Sequence, residues 1–217
     1  MRELAMDKEL IIRLIVVFLS LAIHEYAHAK LADAAGDPTP GIHGRVTLNP
    51  FAHFDPLGSV FIIMSSIAGF GIGWGKPVPM DPRKMHNPRW DHFWAVIGGP
   101  LSNLIQAVIW AILLKIFMIT QSGGSIDGSS SILLTFTVYG ILVNISLFVF
   151  NLIPLGPLDG MWIVGTFLSE QHRYRWTRWN LTIGQFIFIA LVLIPGLLLK
   201  IMGPPLTFLA RFLGLPL

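Results

Sequence analysis

The chain of 217 residues contains 53% hydrophobic and only 12% charged residues and has a net charge of +3, whereas a soluble domain has roughly 25% charged residues. This composition argues against a soluble protein and predicts an all-α polytopic protein in a lipid bilayer, with no indication of nucleic-acid binding. Cysteine is absent, which excludes disulfides and thiolate sites and leaves nitrogen and oxygen ligands for any metal ion.

Five apolar blocks predict roughly four to six membrane helices in a single domain that covers residues 1–217. The blocks comprise residues 10–31, 57–74, 93–119, 132–153 and 181–199. A short amphipathic tail, residues 204–217, is predicted to lie on the membrane surface or to form half of a hairpin. The serine- and glycine-rich residues 121–131 predict a loop.

The first block contains His24, Glu25 and His28, a spacing that places both imidazoles on one face of a helix. Histidines one turn apart can share a zinc ion, and the intervening glutamate then stands beside the open metal position. This pattern is typical of zinc metalloproteases, in which the glutamate takes a proton from water. The alternative is a pair of buried polar side chains or a chance match. A cleaved signal peptide is disfavoured because it would discard this motif.

Basic residues orient the blocks. Residues 76–92 contain four lysines and arginines and residues 171–180 contain three, whereas residues 121–131 contain none. The positive-inside rule therefore places the first two segments in the cytoplasm and the third outside. Asp159, just beyond the fourth block, is then expected near the cytoplasmic side.

The second block, residues 57–74, raises the question of how many times the chain crosses the membrane between His28 and Lys76. If His28 and Lys76 both lie near the cytoplasmic side, a single full crossing between them is impossible. Either this block is re-entrant or the first helix has the opposite orientation, and we favour the re-entrant interpretation. Breaks in a membrane helix are tolerated where they line a cavity. Three glycines favour such a break here: Gly69, Gly71 and Gly73.

A site with two histidines needs a third protein ligand, and Asp159 is the natural candidate. Ionised groups at membrane depth are costly and usually pair with each other or with a metal ion. The alternative is that Asp159 caps a helix that begins at Gly160.

Three motifs in order resemble the site-two protease family of intramembrane zinc metalloproteases. They are residues 24–28 (HEYAH), residues 99–103 (GPLSN) and residues 151–160 (NLIPLGPLDG). The resemblance spans about residues 10–164, the expected catalytic core, with further membrane segments over residues 181–217. Two further segments are similar to the compact subgroup that lacks a PDZ domain: residues 44–50 and 75–79.

The resemblance implies an endopeptidase that cleaves single-span membrane proteins within or near their transmembrane segments. It also implies one Zn²⁺ per chain held by His24, His28 and Asp159, with Glu25 as catalytic base. Asn103 is expected to contact the substrate backbone or stabilise the transition state. Two further residues are expected to shape the fourth helix: Asn151 and Pro154. The resemblance also implies a prokaryotic cytoplasmic membrane.

In relatives, the segments that correspond to residues 41–50 and 74–79 form membrane-associated strands and loops beside the active site. Residues 46–48 have strand propensity, and an exposed edge there could bind an unwound substrate as an added strand. His43 and His53 flank this segment; either could approach the zinc, but a structural role is favoured.

Two other functions remain open from the sequence: a zinc-binding membrane protein without catalysis, such as a transporter or sensor, and an inactive adaptor. Transporters usually place several ionisable groups along a path, whereas the acids within these apolar blocks are essentially Glu25 and Asp159. Retention of Glu25 argues against an adaptor, because metal binding alone needs no base. The sequence contains no signal for oligomeric state.

Overall fold

The computed structural model describes residues 2–67, 74–120 and 128–215, and within these ranges the regular structure is entirely helical. The helices are α1 (Arg2–Ala34), α2 (Thr39–Ile42), α3 (Pro56–Ile67), α4 (Trp90–Thr120), α5 (Gly128–Asn151), α6 (Asp159–Phe167), α7 (Glu170–Trp179), α8 (Gln185–Leu193) and α9 (Leu197–Phe212). Short turns of other helical types occur at Pro50–His53, Pro82–Lys84 and Asn180–Gly184. The fold class is therefore the predicted all-α polytopic membrane protein.

Three helices of the described chain are long and apolar enough to cross a bilayer alone: Lys8–Ala34 within α1, all of α4, and Ser131–Asn151 within α5. Helix α4 packs along both α1 and α5, which also touch each other. A further bent pair, Glu170–Leu193 with Leu197–Phe212, turns by 82° at its break. Among the described residues, the three spans are one fewer than the predicted range of four to six, and the four obtained if the bent pair is one span lie at its lower end.

The described part of the second apolar block fits the re-entrant interpretation. Its helix, α3, has 12 described residues, which correspond to about 18 Å of helix. Trp74 lies beside the start of α3, because a Cβ atom on Gly58 would lie 2.9 Å from the Trp74 indole and closer still to its backbone oxygen. The rings of Phe61 and Trp74 are 5.5 Å apart. The predicted break at Gly69, Gly71 and Gly73 lies outside the described residues.

Helix α3 has polar partners at its start and close to its last described residue. At the N-terminus, the Asp55 carboxylate accepts a hydrogen bond of 2.7 Å from the Gly58 N–H. Near the C-terminus, the Arg13 guanidinium of α1 donates to the Ser66 carbonyl. Ile62 is buried in a cluster with Val17 and Leu21 of α1. These contacts hold α3 against the first span.

The expected strand at residues 46–48 is not formed, which corrects the sequence prediction. A strand requires a neighbouring extended segment for hydrogen bonding, whatever the propensity of its residues, and residues 46–48 instead adopt irregular loop structure. The buried Arg45 side chain instead joins two loops by donating to the carbonyl oxygens of Ala52, Lys76 and Pro77. The region beside the site is therefore a cross-linked loop rather than a sheet edge.

The C-terminal part differs from the predicted single block over residues 181–199. Helices α8 and α9 meet at a sharp break, where Gly196 has a φ of 77° that favours glycine. The tail belongs largely to α9, which packs against α5. Ala210 and Leu215 are buried with Ile141, Ile145 and Ala107, so the tail is part of the helical core.

Candidate metal centre

Three side chains from separate parts of the chain converge on one buried point. His24 and His28 lie on one face of α1, with their Nε2 atoms 3.0 Å apart. Asp159, the first residue of α6, places its Oδ2 atom 3.3 Å from the His24 Nε2 and 3.4 Å from the His28 Nε2. Within the described ranges, these are the residues found grouped closely enough to hold a metal ion.

The spacing and the hydrogen bonds of this group fit a metal ion. A tetrahedral zinc ion with bonds of 2.0–2.1 Å has ligand atoms about 3.3 Å apart. The His28 Nδ1 lies 2.8 Å from the Ala95 carbonyl oxygen, which can only accept, so this nitrogen carries the proton. Its Nε2 lone pair then faces the Asp159 Oδ2, a buried acceptor without a hydrogen-bond partner. A cation between these acceptors would satisfy all of them.

Asp159 is aimed at the histidines by the turn that joins α5 to α6. A Cβ atom on Gly160 would lie 2.5 Å from the Leu152 carbonyl oxygen, so only glycine lets α6 start against the end of α5. The Gly156 N–H donates a hydrogen bond of 2.8 Å to the Oδ1 of Asn180, which is fully buried. Asp159 is the first helical residue, and the N-cap is Leu158, so the alternative cap role does not apply.

Helix α4 closes the site through a close backbone approach at Gly99. A Cβ atom there would lie 2.7 Å from the His24 Cε1 and closer still to the His28 Nε2. At Gly98, an added Cβ atom would instead meet the tip of the Leu31 side chain. The two glycines thus let α1 and α4 pack closely, and Gly99 leaves the space that the imidazoles occupy.

Glu25 lies next to the imidazoles on α1 and is 9% exposed. The loop after α3 passes over it, because a Cβ atom on Gly75 would lie 3.3 Å from the Glu25 Oε1. This loop is held by a hydrogen bond of 2.8 Å from the Lys76 N–H to the His53 carbonyl oxygen, and by Arg45. Burial lowers the pKa of the Arg45 guanidinium, and the Glu25 charge opposes that shift. The Glu25 carboxylate is therefore confined under this loop, on the residue that follows His24, and a carboxylate in such a position can move a proton to or from a bound water.

The other predicted residues lie outside the ligand group. His43 is exposed, and its Nδ1 donates to the Thr39 carbonyl oxygen at 2.9 Å. His53 is buried, and its Nε2 donates to the Thr47 carbonyl oxygen at 2.8 Å. Asn151 donates to the Leu147 carbonyl oxygen at 2.9 Å, within the last turn of α5.

Asn103 contacts other side chains of the protein, and its contact with a substrate stays a prediction. It is fully buried, and its Oδ1 lies 2.7 Å from the His24 Nδ1 while its Nδ2 lies 3.0 Å from the Asn144 Oδ1. Its amide is therefore engaged by the protein on both sides. No role was predicted from the sequence for Asn144, Asn180 or Arg45. For the two asparagines, the available signal was a polar amide inside or directly beside an apolar block.

Comparisons with known proteins identify relatives of this chain. A family model described as peptidase family M50 matches residues 115–195. A Bacillus subtilis (strain 168) protein named "Putative zinc metalloprotease YwhC" is 38% identical over 181 residues, which cover 83% of this chain and 80% of that protein.

More distant matches have the printed name "Putative zinc metalloprotease Rip2". The protein from Mycolicibacterium smegmatis is 29% identical over 143 residues, covering 65% of this chain and 51% of that protein. The protein from Mycobacterium tuberculosis (strain H37Rv) is 27% identical over the same length. The chain thus matches about half the length of the Rip2 proteins. No solved structure matches the chain.

Proposed function

The chain belongs to peptidase family M50, the site-two protease family, and from this premise we propose that it is a zinc-dependent endopeptidase that cleaves membrane proteins within or near their transmembrane segments. The observation that carries the proposal is the buried group of two imidazole nitrogens and one carboxylate oxygen, 3.0–3.4 Å apart, with Glu25 beside it. Membership of the family supports a metalloprotease, and the chain is an integral membrane protein related to bacterial proteins.

In this proposal one Zn²⁺ is held by His24, His28 and Asp159. When bound there, zinc would polarise the scissile carbonyl and lower the pKa of a water molecule. The Glu25 carboxylate accepts the proton of the attacking water and later delivers it to the leaving amine. The loop at Gly75 keeps this carboxylate close to the ligands, and Ala95 and Asn103 hold the two imidazoles in place.

The proposed site opens toward the cytoplasm. His28 is six residues, or about 9 Å, from the end of α1, near the end of the bundle at which α4 begins and α5 ends. The basic segments, residues 76–92 and 171–180, border the same end of α4 and α5, and the positive-inside rule assigns such segments to the cytoplasm. Water reaches the site over a short distance from that side.

Single-span membrane proteins are the proposed substrates. A transmembrane helix hides its amides in internal hydrogen bonds, so a segment must unwind locally before its carbonyl can be attacked. The cytoplasmic end of a span is the part closest to water and therefore the least costly to unwind.

The test is a paired assay on the detergent-purified full chain and Glu25→Gln, with Glu170→Gln as a matched control on the exposed face of α7. We measure zinc per chain by elemental analysis and cleavage of a generic single-span membrane protein. The expected result is about one zinc in all three proteins and a loss of about 10²- to 10⁴-fold in turnover for Glu25→Gln alone. Zinc without cleavage across a panel of membrane substrates would contradict the protease and favour a non-catalytic zinc protein. Absence of zinc would refute the metal site.

A further inference from the structure

A buried chain of hydrogen bonds runs from the metal centre across three membrane helices. It begins at His24 of α1, whose Nδ1 lies 2.7 Å from the Asn103 Oδ1 of α4. It continues from the Asn103 Nδ2 to the Asn144 Oδ1 of α5 at 3.0 Å. The Asn144 Nδ2 then donates to the Ser20 Oγ at 3.0 Å and to the Gly140 carbonyl oxygen at 2.8 Å. Both asparagines are fully buried, and Ser20 is 2% exposed.

The chemistry of these groups fixes the direction of every hydrogen bond in the chain. The Gly140 carbonyl can only accept, so the amide group of Asn144 that faces it is the NH₂. The Asn144 oxygen therefore faces Asn103 and requires the NH₂ of that side chain. The Asn103 oxygen is then left for His24, whose Nδ1 must donate. The Ser20 carbonyl, 3.5 Å from the Asn103 Nδ2, favours the same orientation.

The direction of these hydrogen bonds determines which ring nitrogen of His24 carries the proton at the metal centre. A neutral imidazole has one protonated and one unprotonated nitrogen. With the proton on Nδ1, the lone pair of the His24 Nε2 points to the Asp159 Oδ2 and the His28 Nε2. If Asn103 were rotated so that its NH₂ faced His24, the Nδ1 would have to accept and the proton would move to Nε2, where it blocks a metal ion.

We propose that Asn144 is a positioning residue that sets the tautomer of His24 through Asn103 and thereby sets the affinity of the site for a divalent metal ion. The inference rests on the proposed metal site, but the residue to which it gives a new role, Asn144, lies outside the ligand group. The Gly140 carbonyl sets the orientation of Asn144, and the Ser20 carbonyl favours the matching orientation of Asn103.

The test compares three variants of the full chain. Asn144→Leu removes the group that orients Asn103. The double variant Asn103→Asp with Asn144→Leu restores a side chain that can only accept, as in the carboxylate–histidine pairs common at zinc sites, so its orientation no longer matters. Thr137→Val is the matched control, because Thr137 is a fully buried polar residue of α5 that donates only to Leu134 of its own helix.

The first readout is zinc affinity, measured in detergent by competition with a chromogenic chelator. Outer residues that orient zinc ligands typically contribute 10- to 100-fold in affinity. We expect a loss of about tenfold for Asn144→Leu, the lower end of that range, because the Ser20 carbonyl still favours the native orientation of Asn103. The double variant should recover to within a few-fold of the unchanged protein, and Thr137→Val should not differ from it.

The second readout is the ¹⁵N chemical shift of the His24 ring in the metal-free protein, which reports the tautomer directly. The unchanged chain should show the proton on Nδ1, and Asn144→Leu should show a mixture. If Asn144→Leu does not fold, Ser20→Ala takes its place, with a smaller loss of affinity that Asn103→Asp should again reverse.

Unchanged zinc affinity in Asn144→Leu would overturn the inference. A double variant that binds zinc no better than Asn144→Leu would also overturn it. The lower affinity would then come from lost packing, which a carboxylate at residue 103 does not repair. Both readouts are independent of peptide cleavage. A protein that binds zinc, follows this pattern and cleaves nothing would therefore refute the proposed function and leave the inference intact.

Discussion

Replacing Gly99 with alanine tests whether the space between α1 and α4 is matched to the metal centre. The added Cβ atom would lie 2.7 Å from the His24 Cε1 and closer still to the His28 Nε2. Carbon atoms in a packed core approach to about 3.5–4.0 Å, so both imidazoles must retreat by about 1 Å. Their tips lie 3.0 Å apart, and the backbone of α4 sits directly against them. The collision cannot be relieved by rotating a flexible side chain away.

A displacement of about 1 Å exceeds the roughly 0.2 Å tolerance of metal–ligand distances. We therefore expect Gly99→Ala to lower zinc affinity by about 100-fold, comparable with the effect of a 1 Å misplacement on catalysis. Overpacking should also lower the free energy of unfolding by about 1–3 kcal/mol. The loss of zinc affinity should thus be much larger than the lower stability would cause by itself.

The neighbouring Gly98 provides the matched control. A Cβ atom on Gly98 meets the end of the flexible Leu31 side chain, which can rotate away, and no imidazole lies among its nearest atoms. Zinc affinity by chelator competition and thermal unfolding in detergent are measured for both variants. If Gly98→Ala and Gly99→Ala lose zinc to the same extent, helix packing and not contact with the ligands explains the effect. Full zinc binding in Gly99→Ala would refute the geometry of the site.

Two further predictions concern the loops around the site. Asn180→Leu leaves the buried Gly156 N–H without an acceptor and should lower the free energy of unfolding, measured by thermal unfolding, by about 1–3 kcal/mol. Asn180→Asp keeps the acceptor and should lower it by less. Equal losses in the two variants would contradict this role. Burial opposes ionisation of Asp37, but its hydrogen bonds outweigh burial and hold its pKa below the ordinary value. Its stabilising contribution is therefore complete above about pH 4 and is lost as the pH falls through the lowered pKa. The melting temperature, measured from about pH 6 to about pH 2, should show this loss of stability in the unchanged chain and not in Asp37→Asn. Parallel curves of melting temperature against pH for the two proteins would refute the prediction.

Local sequence carries much of the information about this site. The spacing of His24 and His28 places both side chains on one face because four residues make about one helical turn in any α-helix. The scarcity of charge predicts the bilayer, and within a nearly uncharged chain an acid such as Asp159 is conspicuous. The structure brings these three residues together as the sequence predicts.

Contacts between distant segments decided the remaining features. The position of α3 relative to Trp74 is set by the contact of that residue with Gly58, and residues 46–48 have no neighbouring extended segment with which to form a strand. The hydrogen bonds of Asn103 join it to His24 and Asn144, which lie 79 and 41 residues away in the chain, and local sequence does not reveal such partners.

Composition and helical periodicity by themselves determined the membrane class of this protein, its main spans and its two-histidine motif. These properties follow from covalent geometry and transfer free energy, which act within a window of a few turns. Only the tertiary structure decided which helix faces the motif, which glycine leaves space for the imidazoles and which asparagine contacts His24. A buried polar group needs a specific partner, and the choice of partner depends on how helices far apart in the chain pack together.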